Sequence, residues 1–259
     1  MSMFNRILAS VGIGSAKVDL ILDQDTVPAG GTINGVVRIT GGNVDQQVDD
    51  VYAYIQTQYI RERNDHKMYE KATIAKFLLA GKFTIAANQH YEFPVSFHLP
   101  PGTPVTMGRT PVWIQTGLDI KDAVDPKDKD YLHILPHPHS SFILQAVEQL
   151  GFRLREVSCE YAPRYARGGY SFVQEFEFVP TTHYRGQLDE LEIIFYPNEN
   201  GVELLLQIDR RARGLTGLFM EALDADESFV RVQFDRTQLS QGVHFIANEL
   251  NHLIGRYTY

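Results

Sequence analysis

Three imidazoles, His133, His137 and His139, fall close together with Asp128 and Asp130 just upstream. Imidazole and carboxylate are both zinc ligands, so this is the first place to look for a metal. The spacing opposes it. Pro136 and Pro138 impose an extended path, which puts His137 and His139 on one side and leaves His133 on the strand before them. The reading adopted is a solvated linker, with no metal assigned. Glu175 and Glu177 sit one strand step apart, opposite Phe172, Phe176 and Phe178. Glycosidase carboxylates must flank a sugar from two sides, so these read as a solvated strand face. Asp189, Glu190 and Glu192 resemble a metal cluster in composition alone, since neighbouring strand residues point to opposite faces.

Cys159, the single cysteine, shares a strand face with Val157 and Tyr161 and has no nucleophile motif around it, so it reads as a small buried thiol. Gly12-Ile13-Gly14 begins something like a dinucleotide-binding motif, but Lys17 stands at its last position and a strand follows. A pyrophosphate needs a helix N-terminus there. Arg210-Arg211-Ala212-Arg213 is the densest basic patch in an acidic half of the chain. The arginine fork suits carboxylate or phosphate, so Arg210, Arg211 and Arg213 form either an internal network with the acidic strands, the preferred reading, or a partner site. No catalytic residue and no cofactor is expected.

The elements that hold these residues are mostly strands. Ala16, Val18, Leu20 and Leu22 alternate with polar positions, as do Ile33, Gly35, Val37 and Ile39, and the pair reads as a hairpin. Residues 50 to 62 form a longer strand burying part of both sides. Tyr91, Phe93, Val95, Phe97 and Leu99 alternate with polar residues, and Pro94 puts this strand at an edge. Thr110 to Thr116, with the only tryptophan, and Asp130 to Leu135 close an all-β first unit. A helix capped by Ser140 or Ser141 then presents Phe142, Ile143, Ala146, Val147 and Leu150 before Gly151. Strands return at Phe152 to Tyr161, Tyr170 to Val179, Leu188 to Tyr196 and Val202 to Asp209. A hairpin turn joins the last two at Asn198-Glu199-Asn200-Gly201. A short helix carrying Leu215, Leu218, Phe219, Ala222 and Leu223, a strand from Phe229 to Phe234 and a terminal helix opened by Ser240 complete the pattern. Short strands at even spacing without intervening helices indicate antiparallel sandwiches, one after another.

With 259 residues, two core-forming units are expected over one. The divisions are 1–137, 138–236 and a C-terminal helix at 237–259. Lysine supports a break near residue 135: all eight lysines precede it, and every basic residue after it is arginine. Residues 1–135 hold 13 basic and 15 acidic side chains, and the remainder 11 and 17, so both parts are acidic. A net charge of -8 excludes non-specific nucleic-acid binding, where neutralised phosphates supply most of the affinity. No apolar run reaches the ~18 residues of a spanning helix. Near the start, Phe4, Ile7, Leu8 and Val11 give a short helix one apolar stripe with a single arginine beside it. Docking on a core is the preferred role for it, and surface contact with a membrane the weaker one. The start lacks the marks of a secretory signal, so a cytoplasmic location is expected.

Eight strings taken together, GIGSAKVDLIL, VRITGGNVDQQVDDVY, FHLPPGTPVT, VWIQTGLDIKDAVDPKDKDYLHILPHP, AVEQLGFRLREVSCEYAP, FVQEFEFVP, RGQLDELEIIF and QIDRRARGLTGLFMEALDADESFVRVQF, resemble the bacterial stage-zero sporulation-control protein M family. The resemblance runs from near the N-terminus to about Phe234. It implies a mainly β fold of two tandem arrestin-like antiparallel β-sandwich domains with a few short helices. It also implies a non-enzymatic cytoplasmic regulator of sporulation entry and cell-cycle development that works through protein partners. Two rival readings are a metal-dependent hydrolase or sugar-binding protein using His133, His137 and His139, and a peripheral membrane scaffold.

Overall fold

The structure is a computed structural model that describes residues 15–64, 66–120, 125–210 and 227–258. The stripe at Phe4 to Val11, Gly12-Ile13-Gly14, Arg211, Arg213 and the helix expected at Leu215 to Leu223 lie outside the described residues. The chain divides into two compact units. The first comprises Met1–Gln58, Lys71–Thr106 and Pro111–Leu135, and the second Tyr59–Glu70, Met107–Thr110 and Pro136–Tyr259.

In the first unit, β1 (Lys17–Leu22), β3 (Thr32–Thr40) and β7 (His90–His98) form a three-stranded antiparallel sheet in the order β1-β3-β7. Register pairs Val18 with Ile39, Val37 with Phe93 and Ile33 with Phe97, so the apolar alternation of the three strands shares one face, buried at Val18, Ile33, Val37, Ile39, Val95 and Phe97, while Phe93 is half-buried and Tyr91 exposed. Gly35 is required there, because a Cβ would stand 2.5 Å from the Ile21 carbonyl oxygen. β7 is an edge strand, which is where Pro94 is tolerated. The connection from β1 to β3 is more than a turn: it contains β2 (Thr26–Pro28), which pairs in parallel with β9 (Lys127–Leu135).

The second sheet of this unit runs from β4 (Gln46–Arg63) through β8 (Val112–Ile120) and β9 to β2, with β5 (His66–Ala80) and β6 (Phe83–Ile85) also paired to β4. Its core contains Val51, Ala53, Ile55, Ile114, Leu118, Leu132 and Ile134. Phe77 of β5 meets Phe97 of β7 with ring centroids 4.6 Å apart. Trp113 is buried on the other side of β8, donates to Gln56 Oε1 at 3.0 Å and is roofed by the Lys129 ammonium 4.3 Å from its ring.

In the second unit, β10 (Phe152–Tyr161), β11 (Phe172–Pro180), β12 (Leu188–Asn198), β13 (Gly201–Arg210) and β14 (Glu227–Asp235) make an antiparallel meander in sequence order. One parity of residues, including Phe176, Phe178, Leu191, Ile193, Leu204, Leu206 and Ile208, is buried. α1 (Pro138–Gln149) packs on β10, β12 and β13 and against α3 (Val243–Gly255), to the core of which it adds Ile143, Ala146 and Val147. The terminal helical region differs from expectation. Asp235 caps α2 (Arg236–Ser240) through a reciprocal box with Gln238, so Ser240 ends a helix, and Gly242 at φ 92° separates α2 from α3. The Asn198–Gly201 turn forms as expected, with Asn200 N donating to Asn198 Oδ1 at 2.8 Å.

The end of β4 belongs to the second unit, where Ile60 pairs in parallel with Glu160 of β10. Tyr59 stacks on Phe172 at 5.1 Å and 7°, and its hydroxyl donates to Glu70 Oε2 at 2.5 Å. The Arg61 guanidinium lies 4.1 Å from the Tyr161 ring. No helix among the described residues is long and apolar enough to cross a membrane.

Candidate functional site

The histidines occupy structural posts. His133, exposed on β9, has Nδ1 3.1 Å from the Thr106 hydroxyl. His137, expected in a solvated linker, is half-buried and caps α1: its Nδ1 accepts from His139 N at 3.2 Å. The correction traces to Pro138, which has no N–H to satisfy and a φ already helical. It therefore opens the helix two to three residues ahead of the serines expected to cap it. His139 Nδ1 lies 3.0 Å from the carbonyls of both Asn198 and Gly201, which makes that nitrogen the donor and ties α1 to the β12–β13 turn. Burial, together with neighbouring His139, holds the His137 imidazolium below its ordinary pKa.

Asp128 and Asp130 are likewise engaged in the first unit. Asp128 Oδ2 accepts from Leu20 N at 3.0 Å. Asp130 has one oxygen, Oδ2, buried without a hydrogen-bond partner, and burial followed by the charges of Asp128 and Asp19 pushes its carboxyl up to about 7. Cys159 is buried as expected, and desolvation drives its thiol up to about 12, leaving no thiolate for nucleophilic chemistry at neutral pH. Among the described residues no group of three His, Cys, Asp or Glu side chains is arranged to hold a metal ion.

The acidic strands hold the most developed surface. Glu175 and Glu177 do point away from Phe176 and Phe178, yet they are not solvated as expected: Glu175 is half-buried, and the Glu177 side chain is 16% exposed. The reason is lateral crowding between β10, β11 and β12, which pair side by side. Register sets Glu175 opposite Ile194 and Glu177 opposite Glu192, so this face alternates carboxylates with apolar side chains. Arg155 ion-pairs with both Glu177 and Glu190, while Arg167 and Arg231 converge on Glu203, the latter at 2.9 Å. Hydrogen bonding from Arg167 first, then Arg231, keeps the Glu203 carboxyl below the usual range.

Thus three arginines outside the expected 210–213 cluster neutralise part of the sheet; for Arg210 only the backbone is described, paired with Leu188 at the end of β13. Arg231 was findable, since it shares strand parity with Phe229 on the acidic face. Arg155 was not: it stands at a register shift between Leu154 and Glu156, where alternation fails as a guide.

In the middle of the same face Val173, Ile194 and Leu205 form a buried apolar patch, bordered by Ala162, Tyr165, Ala166 and Tyr196. A cavity of about 120 Å³ opens over it. Glu160, Glu175 and Glu192 line one part, and Tyr165 and Phe229 another, their rings stacked at 6.0 Å and 17° with Phe229 51% exposed. Burial, foremost, raises the carboxyls of Glu160 and Glu175; Glu175 is hydrogen-bonded to Glu192 and further raised by the charges of Glu160 and Glu190. Chemically this surface can receive a cation on an apolar floor.

Comparison with known proteins places the whole arrangement. The SpoOM protein family matches residues 4–212. The sporulation-control protein Spo0M of Bacillus subtilis (strain 168) is 42% identical over 240 residues, covering 92% of this chain and 93% of the relative. The crystal structure of Spo0M from Bacillus subtilis superposes with a TM-score of 0.83 at 39% identity, covering 95% of this chain and all of that one. The mainly β, arrestin-like fold is shared with that structure. Identity at this level, sustained across both units, establishes that the chain belongs to the Spo0M family.

Proposed function

We propose that the chain is a non-enzymatic regulator in sporulation control that acts in the cytoplasm by holding protein partners. The observation that carries this reading is the 42% identity to Spo0M across 92% of the chain. The side chains supply a second support: the residues with the best catalytic credentials are committed elsewhere. The Cys159 thiol is buried and raised to about 12, and His137 and His139 each commit Nδ1, to a helix cap and to a turn. The acidic sheet face, half-neutralised by arginine and floored with apolar residues, has the composition of a recognition surface. The test is complementation. Expressed in Bacillus subtilis deleted for its own Spo0M, this chain should restore the sporulation frequency of the parent. A well-expressed, folded chain that leaves the deletion phenotype unchanged would overturn the proposal.

A further inference from the structure

The cavity on the acidic face of β10–β14 has a size that selects its occupant. At about 120 Å³ it is well below the ~300 to 1,000 Å³ of pockets that enclose small-molecule ligands. It is close to the ~150 Å³ that admits a benzene ring, which is the scale of one side chain. The floor is apolar, Val173, Ile194 and Leu205, and the charge at its rim is negative. No ion pair among the described residues engages Glu160 or Glu175, although the Lys67 charge acts on Glu160 from farther off and Arg155, Arg167 and Arg231 neutralise neighbouring carboxylates. Beside the cavity, the stacked Tyr165 and half-exposed Phe229 offer a flat aromatic ledge.

We propose that this groove docks a basic segment of a protein partner, with one lysine or arginine side chain entering the cavity. Its aliphatic stem lies on Val173, Ile194 and Leu205, its cation meets Glu160 and Glu175, and an apolar neighbour in the segment covers the Tyr165–Phe229 ledge. Long cationic side chains suit such a site because stem and head have opposite demands. Burial already strains the two carboxylates toward protonation, and an arriving cation relieves that strain. A second copy of this chain is a poor occupant, because each copy carries a net charge of -8 and like faces repel. The proposal rests on the reading of the chain as an interaction protein and adds the chemistry of what it holds.

The full chain should be titrated by fluorescence anisotropy with a labelled Gly-Leu-Arg-Leu-Gly peptide, beside the same peptide with Gln or Glu in place of Arg. Binding of the arginine peptide should exceed that of both controls and weaken with added salt. Glu175→Gln, which removes a strained charge and leaves the fold intact in a thermal melt, should weaken it by roughly tenfold. Phe229→Ser, at an exposed position, should also weaken it. Three results would overturn the proposal: no binding by the wild-type chain, equal binding by the glutamate peptide or by Glu175→Gln, or binding that emerges only once residues 211–226 are replaced by a Gly-Ser linker. The last would identify the chain's own segment as the occupant. Complementation with the same variants separates the two levels. Loss of both peptide binding and sporulation in Glu175→Gln supports the groove, whereas a wild-type chain that restores sporulation without binding the peptide overturns the groove alone.

Discussion

A histidine that caps a helix through Nδ1 must keep that nitrogen free of a proton, so the cap at His137 is sensitive to acid. Its pKa is depressed in the fold, hence the stability it contributes is present above the unfolded value of ~6.5 and is lost as pH falls through the folded value. His137→Ala should cost about 1 kcal/mol, the usual loss for a cap. His137→Asn should keep the cap and flatten the decline of melting temperature on acidification; an unchanged decline would remove His137 as its source. Asp130 has the opposite sign. Its raised folded pKa means that its contribution is complete below the unfolded value of ~3.9 and is lost as pH rises through about 7. Asp130→Asn should therefore raise the melting temperature more at about pH 8 than at about pH 5. Equal gains at both would show that the carboxyl does not titrate there. Cys159, raised to about 12, should resist alkylation in the native protein and react on addition of urea, and rapid native labelling would contradict its burial.

At the scale of elements, the three-stranded sheet of the first unit gives the sharpest mutational forecast. Phe97 is 7% exposed, pairs across from Ile33 and touches Phe77, so Phe97→Ala should cost ~3 to 5 kcal/mol through lost transfer energy and a residual cavity. A urea melt shifted by less than about 1 kcal/mol would mean that the core lies elsewhere. The alternation at Tyr91 to Leu99 makes this legible, because one face of β7 is wet and the other is dry from Val95 onward. β5 escaped the same reading: most of its residues are at least partly exposed, so Met68, Tyr69 and Leu78 carry no period of two against the polar positions. β10 to β14 were legible in extent, from Phe152 and Tyr161 to Phe234, and in parity except at the register shift beside Arg155. What periodicity could not convey is how deeply the polar parity would be enclosed, since enclosure depends on which strands lie alongside. Glu175 is half-buried beside Ile194, its carboxyl raised by burial and by the charge of Glu160, and only strand pairing brings these residues near it. The cap at His137 escaped for a local reason: Ser140 and Ser141 outrank histidine as caps, and Pro138 overrides that ranking.

The whole molecule is interleaved along its sequence, because Tyr59–Glu70 and Met107–Thr110 group with the unit that otherwise begins at Pro136. A cut at Leu135 therefore cannot yield the second unit intact. A fragment of residues 136–259 should melt at lower temperature than the full chain, and equal stability would show that Tyr59 and Arg61 add nothing to it. Interleaving also has a cost in time. The Tyr59 hydroxyl accepts from Ser171, a partner that the ribosome adds 112 residues later, and the tyrosine ring must wait as long for Phe172. At ordinary rates of synthesis, ~5 to 20 residues per second, the nascent hairpin stands incomplete for on the order of ten seconds. During that interval the Tyr59 ring and hydroxyl lack the Phe172 and Ser171 partners they have in the fold. A slowed stretch of message between residues 70 and 172 would lengthen that interval.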